Sequence, residues 1–166
     1  MRFARLLFVG SILVPFSAAF ADGSGEVTHS GTTVKLTNAY AFRTADHFDK
    51  TQSLTEIILS SAPIDTAKAN AASDREEEIQ SQLDAKRASY VEISIGADGL
   101  AHQLDYAEPG FHTSGSTMDH PVLTHNDDKR IEGTFRTADE KKKTAYSAYF
   151  DLKFALDVAA QAAGAK

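Results

Sequence analysis

Residues 89–106 read SYVEISIGADGLAHQLDY, and how this stretch is read decides the fold class. Tyr90 or Val91, then Ile93 and Ile95, recur at every second position, the period of a strand with one buried face. GADG follows, with Asp98 and Gly99 at its centre, a pair suited to a tight turn because glycine tolerates a left-handed backbone. LAHQLDY then returns with Leu100, His102, Leu104 and Tyr106 on one face. Two alternating runs joined by turn chemistry predict a β-hairpin, and hairpins build antiparallel sheets.

The same period extends outward in both directions. Towards the C-terminus, Ile131, Gly133 and Phe135 alternate with polar residues in KRIEGTFRT. The last strand has the clearest pattern: Tyr146, Ala148, Phe150, Leu152, Phe154 and Leu156 oppose Ser147, Tyr149, Asp151 and Lys153. Towards the N-terminus, VKLTNAYAF predicts one strand on Val34, Leu36, Tyr40 and Phe42, interrupted at Asn38. LTEIILSS predicts a second, in which Ile57, Ile58 and Leu59 are too continuous for a one-sided surface strand, and Pro63 ends it.

Between these halves, Asp65 to Arg87 is rich in Ala, Glu, Gln and Lys, residues that lose little side-chain freedom in a helix. Ser73 with Glu76 has the form of a capping box. The apolar stripe is thin, Ala72, Ile79 and Leu83, so the helix is expected to lie across a sheet edge or mouth and to be largely exposed. Together these segments predict an α+β fold of six or seven strands. Its expected form is a curved antiparallel sheet or small β-barrel with one helix inserted after the second strand; the alternative is a β-sandwich with a peripheral helix.

At the N-terminus, Arg2 and Arg5 precede the apolar run LLFVGSILV, and SAAFADG supplies an Ala-x-Ala site at Ala19 and Ala21. This is the pattern of a secretory signal peptide over residues 1–21, cleaved before Asp22, and the apolar run is shorter than the roughly 20 residues a membrane-spanning helix needs. The expected organisation is a signal peptide (1–21), a single secreted β-rich domain (22–158) and a frayed tail (159–166). The leader DGSGEVTHSGTT is expected to be flexible up to about Val27. Localisation follows as periplasmic, in a Gram-negative cell, or secreted, with no stable membrane insertion after cleavage. The chain has no cysteine, so burial and hydrogen bonding must supply its stability. Its formal charge of −6 becomes more negative without Arg2 and Arg5. Such an acidic chain lacks the clustered basic surface that nucleic acid requires; Lys141, Lys142 and Lys143 read as a solvated turn.

Two constellations are candidates for function. FRTAD occurs at 42–46 and again at 135–139, and the ten-residue segments FRTADHFDKT and FRTADEKKKT agree at seven positions. A repeated strand end explains this, with Phe as the last core contact and Thr and Asp in the connection. In the functional reading, Arg43 and Arg136 stand side by side as a clamp for a carboxylate or phosphate. Against it, a strand-end arginine commonly pairs with a neighbouring acid such as Asp46 or Asp139. Secondly, His102, His112, His120 and His125 occur among Asp105, Glu108, Asp119, Asp127 and Asp128. Imidazole and carboxylate suit zinc or another divalent metal, with His112, His120, His125 and Asp127 as the ligand set. The spacing matches no metal motif, and His102, on the apolar face of its strand, reads as a core or cavity histidine. TSGST lacks the nucleophile elbow of serine hydrolases, no cysteine nucleophile exists, and no glycine-rich phosphate loop stands between a strand and a helix.

LTNAYAFRTADHFDKTQSLTEIILSSAPID and NDDKRIEGTFRT, with an aromatic-rich final strand, resemble a group of exported bacterial proteins of unassigned activity. That resemblance covers most of residues 22–158 and implies one secreted domain, with no activity to carry over. The leading expectation is a non-catalytic periplasmic or secreted binding module without a cofactor, taking a small ligand or an exported protein at Tyr40, Arg43, Tyr106, Arg136 and Tyr146, with Tyr149 nearby. The alternative is a protein that binds one divalent metal, or a metal-dependent hydrolase, using the cluster from His102 to Asp128.

Overall fold

The computed structural model describes residues 22–46, 49–116, 119–139 and 148–159. In chain order its elements are β1 (Asp22–His29), β2 (Thr32–Leu36), β3 (Asn38–Ala45), β4 (Ser53–Ser60), α1 (Thr66–Ala71), α2 (Arg75–Ala85), β5 (Tyr90–Ile95), β6 (Ala101–Glu108), β7 (Phe111–Gly115), β8 (Val122–Asn126), β9 (Arg130–Arg136) and β10 (Tyr149–Ala159). The hairpin of residues 89–106 forms as β5 and β6, with Ile93 opposite Leu104 and Gly99 at φ +80° in the turn. A register shift at Ser94 and Ile95 brings Ile95 opposite Ala101. His102 is consequently exposed between Asp98 (3.5 Å) and Asp46 (3.8 Å) rather than in the core, because a bulge breaks the strict alternation that had placed it inside.

The strands make one open sheet in the order β2-β1-β10-β3-β4-β5-β6-β7, with β9 and then β8 on the other edge of β10. Every pairing is antiparallel except the short contact of β10 with β3, where Val158 and Ala159 run parallel to Ala41 and Phe42. Among the described residues β2, β7 and β8 keep an unpaired edge, so the sheet does not close into a barrel. Among the described residues ten strands stand where six or seven were expected. VKLTNAYAF breaks at Thr37, whose N–H bonds to the Ser60 carbonyl, and becomes β2 and β3. β7 and β8 come from the loop-rich stretch; all five residues of β7 are exposed, so no apolar alternation marked it.

The leader is the largest departure. Residues 22–29 are not a flexible lead-in but the strand β1, paired on one side with β2 and on the other with β10. Its glycines explain why it fits and why composition misled. A Cβ on Gly23 would lie 2.3 Å from the Ala39 Cβ, and one on Gly25 only 2.7 Å from the Asp151 carbonyl oxygen. Here glycine marks close backbone approach inside a sheet.

The sheet buries apolar residues on both faces of its β3–β6 portion. One core joins Ala41, Ile57, Val91, Ile93 and Tyr106 to Val27, Leu36, Ile131, Phe135 and the inward row of β10, Phe150, Leu152, Phe154, Leu156 and Val158. The two portions of the sheet face one another here: the Tyr106 and Phe150 rings meet edge to face at 6.0 Å although β6 and β10 are not neighbours. Asp151 and Lys153 alternate outward, as the sequence pattern predicted, and Asp157 continues the row, whereas Tyr149, expected on that side, is buried. The second core lies on the other face of β3–β6, where Tyr40, Phe42, Ile58, Tyr90 and Ala107 pack against Ala69, Ile79 and Leu83 of the helices. Ile57 and Leu59 thus face one core and Ile58 the other, which accounts for the unbroken apolar run.

The helical segment from Asp65 to Arg87 is two helices, not one. The Asp65 carboxylate caps α1 by accepting from the Lys68 N–H, and Asp74, not Ser73, caps α2 by accepting from the Glu77 N–H. Ala72 between them is extended. Both FRTAD copies end a strand: after the first, the Asp46 N–H bonds to the Gln52 carbonyl, and after the second, the Thr137 N–H bonds to that of Phe150. Their phenylalanines differ in setting, since Phe42 lies in the core beneath the helices and Phe135 in the other. The expected signal segment, the lysine turn and the tail from residue 160 lie outside the described residues; Ala159, assigned to the tail, is the last residue of β10. No helix among the described residues is long and apolar enough to cross a membrane.

Candidate functional site

Strand register lays out the sheet face beneath α2 as two rows of neighbours. One row runs Phe42, Glu56, Ser94, Gln103 across β3 to β6; the next runs Tyr40, Ile58, Glu92, Asp105. Three carboxylates therefore share one covered face: Glu56 and Glu92 are 2% exposed and Asp105 is 7% exposed. Glu92 and Asp105 are directly opposed, a placement that brings Cβ atoms to about 5 Å and that like charges disfavour.

Hydrogen bonds satisfy only half of these oxygens. Ser94 Oγ donates to Glu56 Oε2 at 2.7 Å, Gln80 of α2 donates to Glu92 Oε2 at 3.2 Å, and Gln103 donates to Asp105 Oδ2 at 2.8 Å. Glu92 Oε1 and Asp105 Oδ1 are buried without a partner among the described residues. Burial pushes the Glu56 carboxyl up to about 7; its bond from Ser94 opposes this, and Glu76, Asp105 and Asp46 add to it. Burial likewise holds Glu92 well above the usual carboxylate range, helped by the charges of Glu56, Glu76 and Asp105 and opposed by the bond from Gln80. The charged neighbours that raise both groups are acids. An acid in such a place is either protonated and neutral, or ionised and in want of a cation.

Aromatic groups border the acids. Tyr40 donates its hydroxyl to Asn70 Oδ1 at 2.5 Å, and burial raises its ionisation above the ordinary value, opposed by Arg75 and by that bond. The Tyr90 hydroxyl is pushed up to about 12, first by burial and then by the charges of Asp84, Glu92, Asp105 and Glu76. Arg75, the first residue of α2, sets its guanidinium 5.4 Å from the centre of the Phe42 ring, a cation–π contact.

A second cluster ties the β1–β2 turn to the β6–β7 hairpin. His29 Nδ1 lies 2.8 Å from Glu108 Oε1, Tyr106 donates its hydroxyl to Glu108 Oε2 at 2.5 Å, and the His29 ring stacks on Phe111 at 4.4 Å. Burial works to raise Glu108, but its bonds with Tyr106 and His29 outweigh that and hold it below the ordinary value. Ser30 Oγ stands 3.5 Å from His29 Nε2. Hydroxyl, imidazole and carboxylate in that order are the parts of an acyl-transfer relay. Yet 3.5 Å is long for a hydrogen bond, and Ser30 and Gly31 form the left-handed pair of a two-residue hairpin turn, at φ 49° and 78°. The cluster is accounted for as a strut between two hairpin ends.

The residues singled out from sequence as a ligand face do not converge. Tyr40 lies in the core beneath the helices, Tyr106 in the other, and Tyr146 is outside the described residues. Tyr149 is buried and accepts from Arg136 Nε at 2.7 Å. Arg43 Nη2 donates to the Asp127 carbonyl at 3.0 Å and to Asp128 at 3.1 Å, in the turn that begins β9, whereas Arg136 ends β9 beside Asp151 at 3.6 Å. The seven residues of β9, about 20 Å of extended strand, separate the two ends, so no two-arginine clamp forms. Arg43→Gln is expected to cost about 1–2 kcal/mol, because a charge-assisted bond to a backbone carbonyl is lost at a partly buried position. Arg136→Gln is expected to stay within about 0.5 kcal/mol; urea denaturation of the two variants checks the contrast.

The histidines are likewise dispersed. His112 is exposed on β7 beside β6, His120 is exposed in the segment before β8, and His125 is paired with Asp127 at 2.8 Å. The Asp127 carboxyl is held at about 2 by the Lys129 N–H, by His125 and by the Arg130 N–H, which is turn chemistry. Among the described residues no group of three or more such side chains is arranged to hold a metal ion. Nearness along a loop did not become nearness in space, because β7 and β8 lie on different branches of the sheet.

Sequence reasoning missed Glu56 and Glu92, and placed Asp105 only among the carboxylates of the histidine stretch. The signal was present in LTEIILS and YVEISI: each sets one glutamate inside a run whose apolar continuity requires burial on both faces. Comparison with known proteins adds no counterpart: no family model, no curated protein and no solved structure matches the chain.

Proposed function

We propose that this chain is an exported binding module whose ligand site is the acid and aromatic face of β3–β6 beneath α2. The observation that carries the reading is the opposed pair Glu92 and Asp105, each with a buried oxygen that no group among the described residues satisfies. Leucine or valine at these positions would continue the apolar core at no desolvation cost, so acids here serve something other than packing. The cover is light: α2 contributes Ile79 and Leu83 as its large apolar contacts, and α1 contributes Ala69. Sparse apolar contact is the condition for local opening at modest free energy, which gives a ligand access. Tyr40, expected from sequence to line a ligand face, borders this one.

A thermal-shift screen of small molecules against the chain and against Glu92→Gln/Asp105→Asn tests the site. Compounds that raise Tm in the parent by several degrees and lose that effect in the double variant are the expected result. A double variant that responds as the parent does, or a blank screen together with no partner that the double variant loses, removes this face as the site. An exported protein in place of a small ligand would leave the screen blank and show instead as a partner retained by the parent but not by the double variant.

A further inference from the structure

We propose that the ligand of this face is an organic cation, a primary amine or guanidinium on an apolar stem, held between the carboxylates of Glu92, Asp105 and Glu56 with its stem along Tyr40, Phe42 and Tyr90. The inference rests on the binding reading above and adds its chemistry. Three acids on one covered face, two of them with an oxygen lacking any hydrogen bond, present acceptors and no donor of their own once ionised. The groups that face them are, from β3, Tyr40, with Asp46 just beyond that strand; from β5, Tyr90; and from α2, Arg75, Glu76, Gln80 and Asp84. Only Arg75 in that set is basic, and its guanidinium is placed over Phe42, at the β3 end of the rows, while Glu92 and Asp105 lie on β5 and β6. That placement shows the chemistry the face accepts: the fold's own cation rests on one of its rings. Aromatic rings beside carboxylates on one covered face favour cations over neutral or anionic molecules. Monatomic divalent ions fit less well, since no three ligating side chains among the described residues converge at coordination distance.

Binding of a cation requires the acids to be ionised, so it displaces protons. Glu56, at about 7, by itself makes the affinity about tenfold higher at pH 8 than at pH 6, and Glu92, also raised by burial, acts in the same direction. Phenethylamine and agmatine are suitable probes, with phenethyl alcohol as the uncharged control, followed by titration calorimetry in two buffers of different ionisation enthalpy. The expected result is saturable binding of at least one amine, at least tenfold tighter at pH 8 than at pH 6, with proton release. Glu92→Gln and Asp105→Asn should each weaken it at least tenfold while circular dichroism shows the fold intact. Equal binding of the alcohol, tighter binding at pH 6, or binding unchanged in both variants overturns the cation. So does silence of both amines. If the thermal-shift screen meanwhile finds neutral or anionic compounds that depend on Glu92 and Asp105, the site stands and only its charge preference fails.

Discussion

Raising the pH from about 5 to 8 is expected to remove about 3 kcal/mol of folding stability through Glu56 alone. Its carboxyl titrates near the ordinary 4.5 when unfolded and at about 7 when folded, with burial as the first cause. Between those values the folded chain binds the proton and the unfolded chain does not, so stability falls as pH rises; each pKa unit corresponds to about 1.4 kcal/mol. Below 4.5 both states are protonated, and above about 7 the loss is complete. Glu92, also raised chiefly by burial, acts in the same direction. Carboxyls held low in the folded state, such as Glu108, contribute in the opposite sense, but their gain is complete once the pH exceeds the unfolded value near 4.5. Urea denaturation at pH 5 and pH 8, run in parallel on Glu56→Gln, isolates the group. The variant should lose about 3 kcal/mol less than the parent across that interval. Equal slopes would show that Glu56 is solvated or paired with a cation in the folded chain.

Gly25→Val is expected to destabilise the fold by about 3 kcal/mol. β1 lies between β2 and β10, and a Cβ at this position would stand 2.7 Å from the Asp151 carbonyl oxygen and 2.9 Å from the Leu152 Cα. These are backbone atoms of the longest strand, which cannot move aside as a flexible side chain would, so the strain is of the overpacking kind. Ser24→Val is the control: Ser24 is exposed on the same strand, and valine suits a strand, so that variant should stay within about 0.5 kcal/mol of the parent. A flexible leader would tolerate both substitutions equally. Denaturant midpoints of the two variants decide between a paired strand and a leader, and equal midpoints would count against β1.

The two results probe the places where sequence and structure part company. Elements with strong local signals were legible. The 89–106 hairpin declared itself through alternation and Asp98-Gly99, and β10 through its row from Phe150 to Leu156; both rest on side chains that repeat a period set by the backbone. The helix formers between 65 and 87 were legible in the same way, although the break at Ala72 was not, since alanine favours helix and the extended backbone there is imposed by the packing of two short helices. β1 was illegible because what makes it a strand is not its own side chains but Gly23 and Gly25 admitting their neighbours. β7 was illegible because an exposed edge strand buries nothing and needs no pattern.

For function, sequence by itself determined the types of residue available: no cysteine, a negative charge, glutamates set within apolar runs, histidines gathered in one stretch. It could not say which would meet. Only the tertiary structure decided that Arg43 and Arg136 stand at opposite ends of β9, that His112 and His125 lie on different branches of the sheet, and that Glu92 and Asp105 face each other beneath α2. The physical reason is register. Side-chain direction along a strand is local, but which residue of the next strand lies opposite is settled by pairing across the chain, and a carboxylate's chemistry depends on that neighbour and on how much water its burial removes.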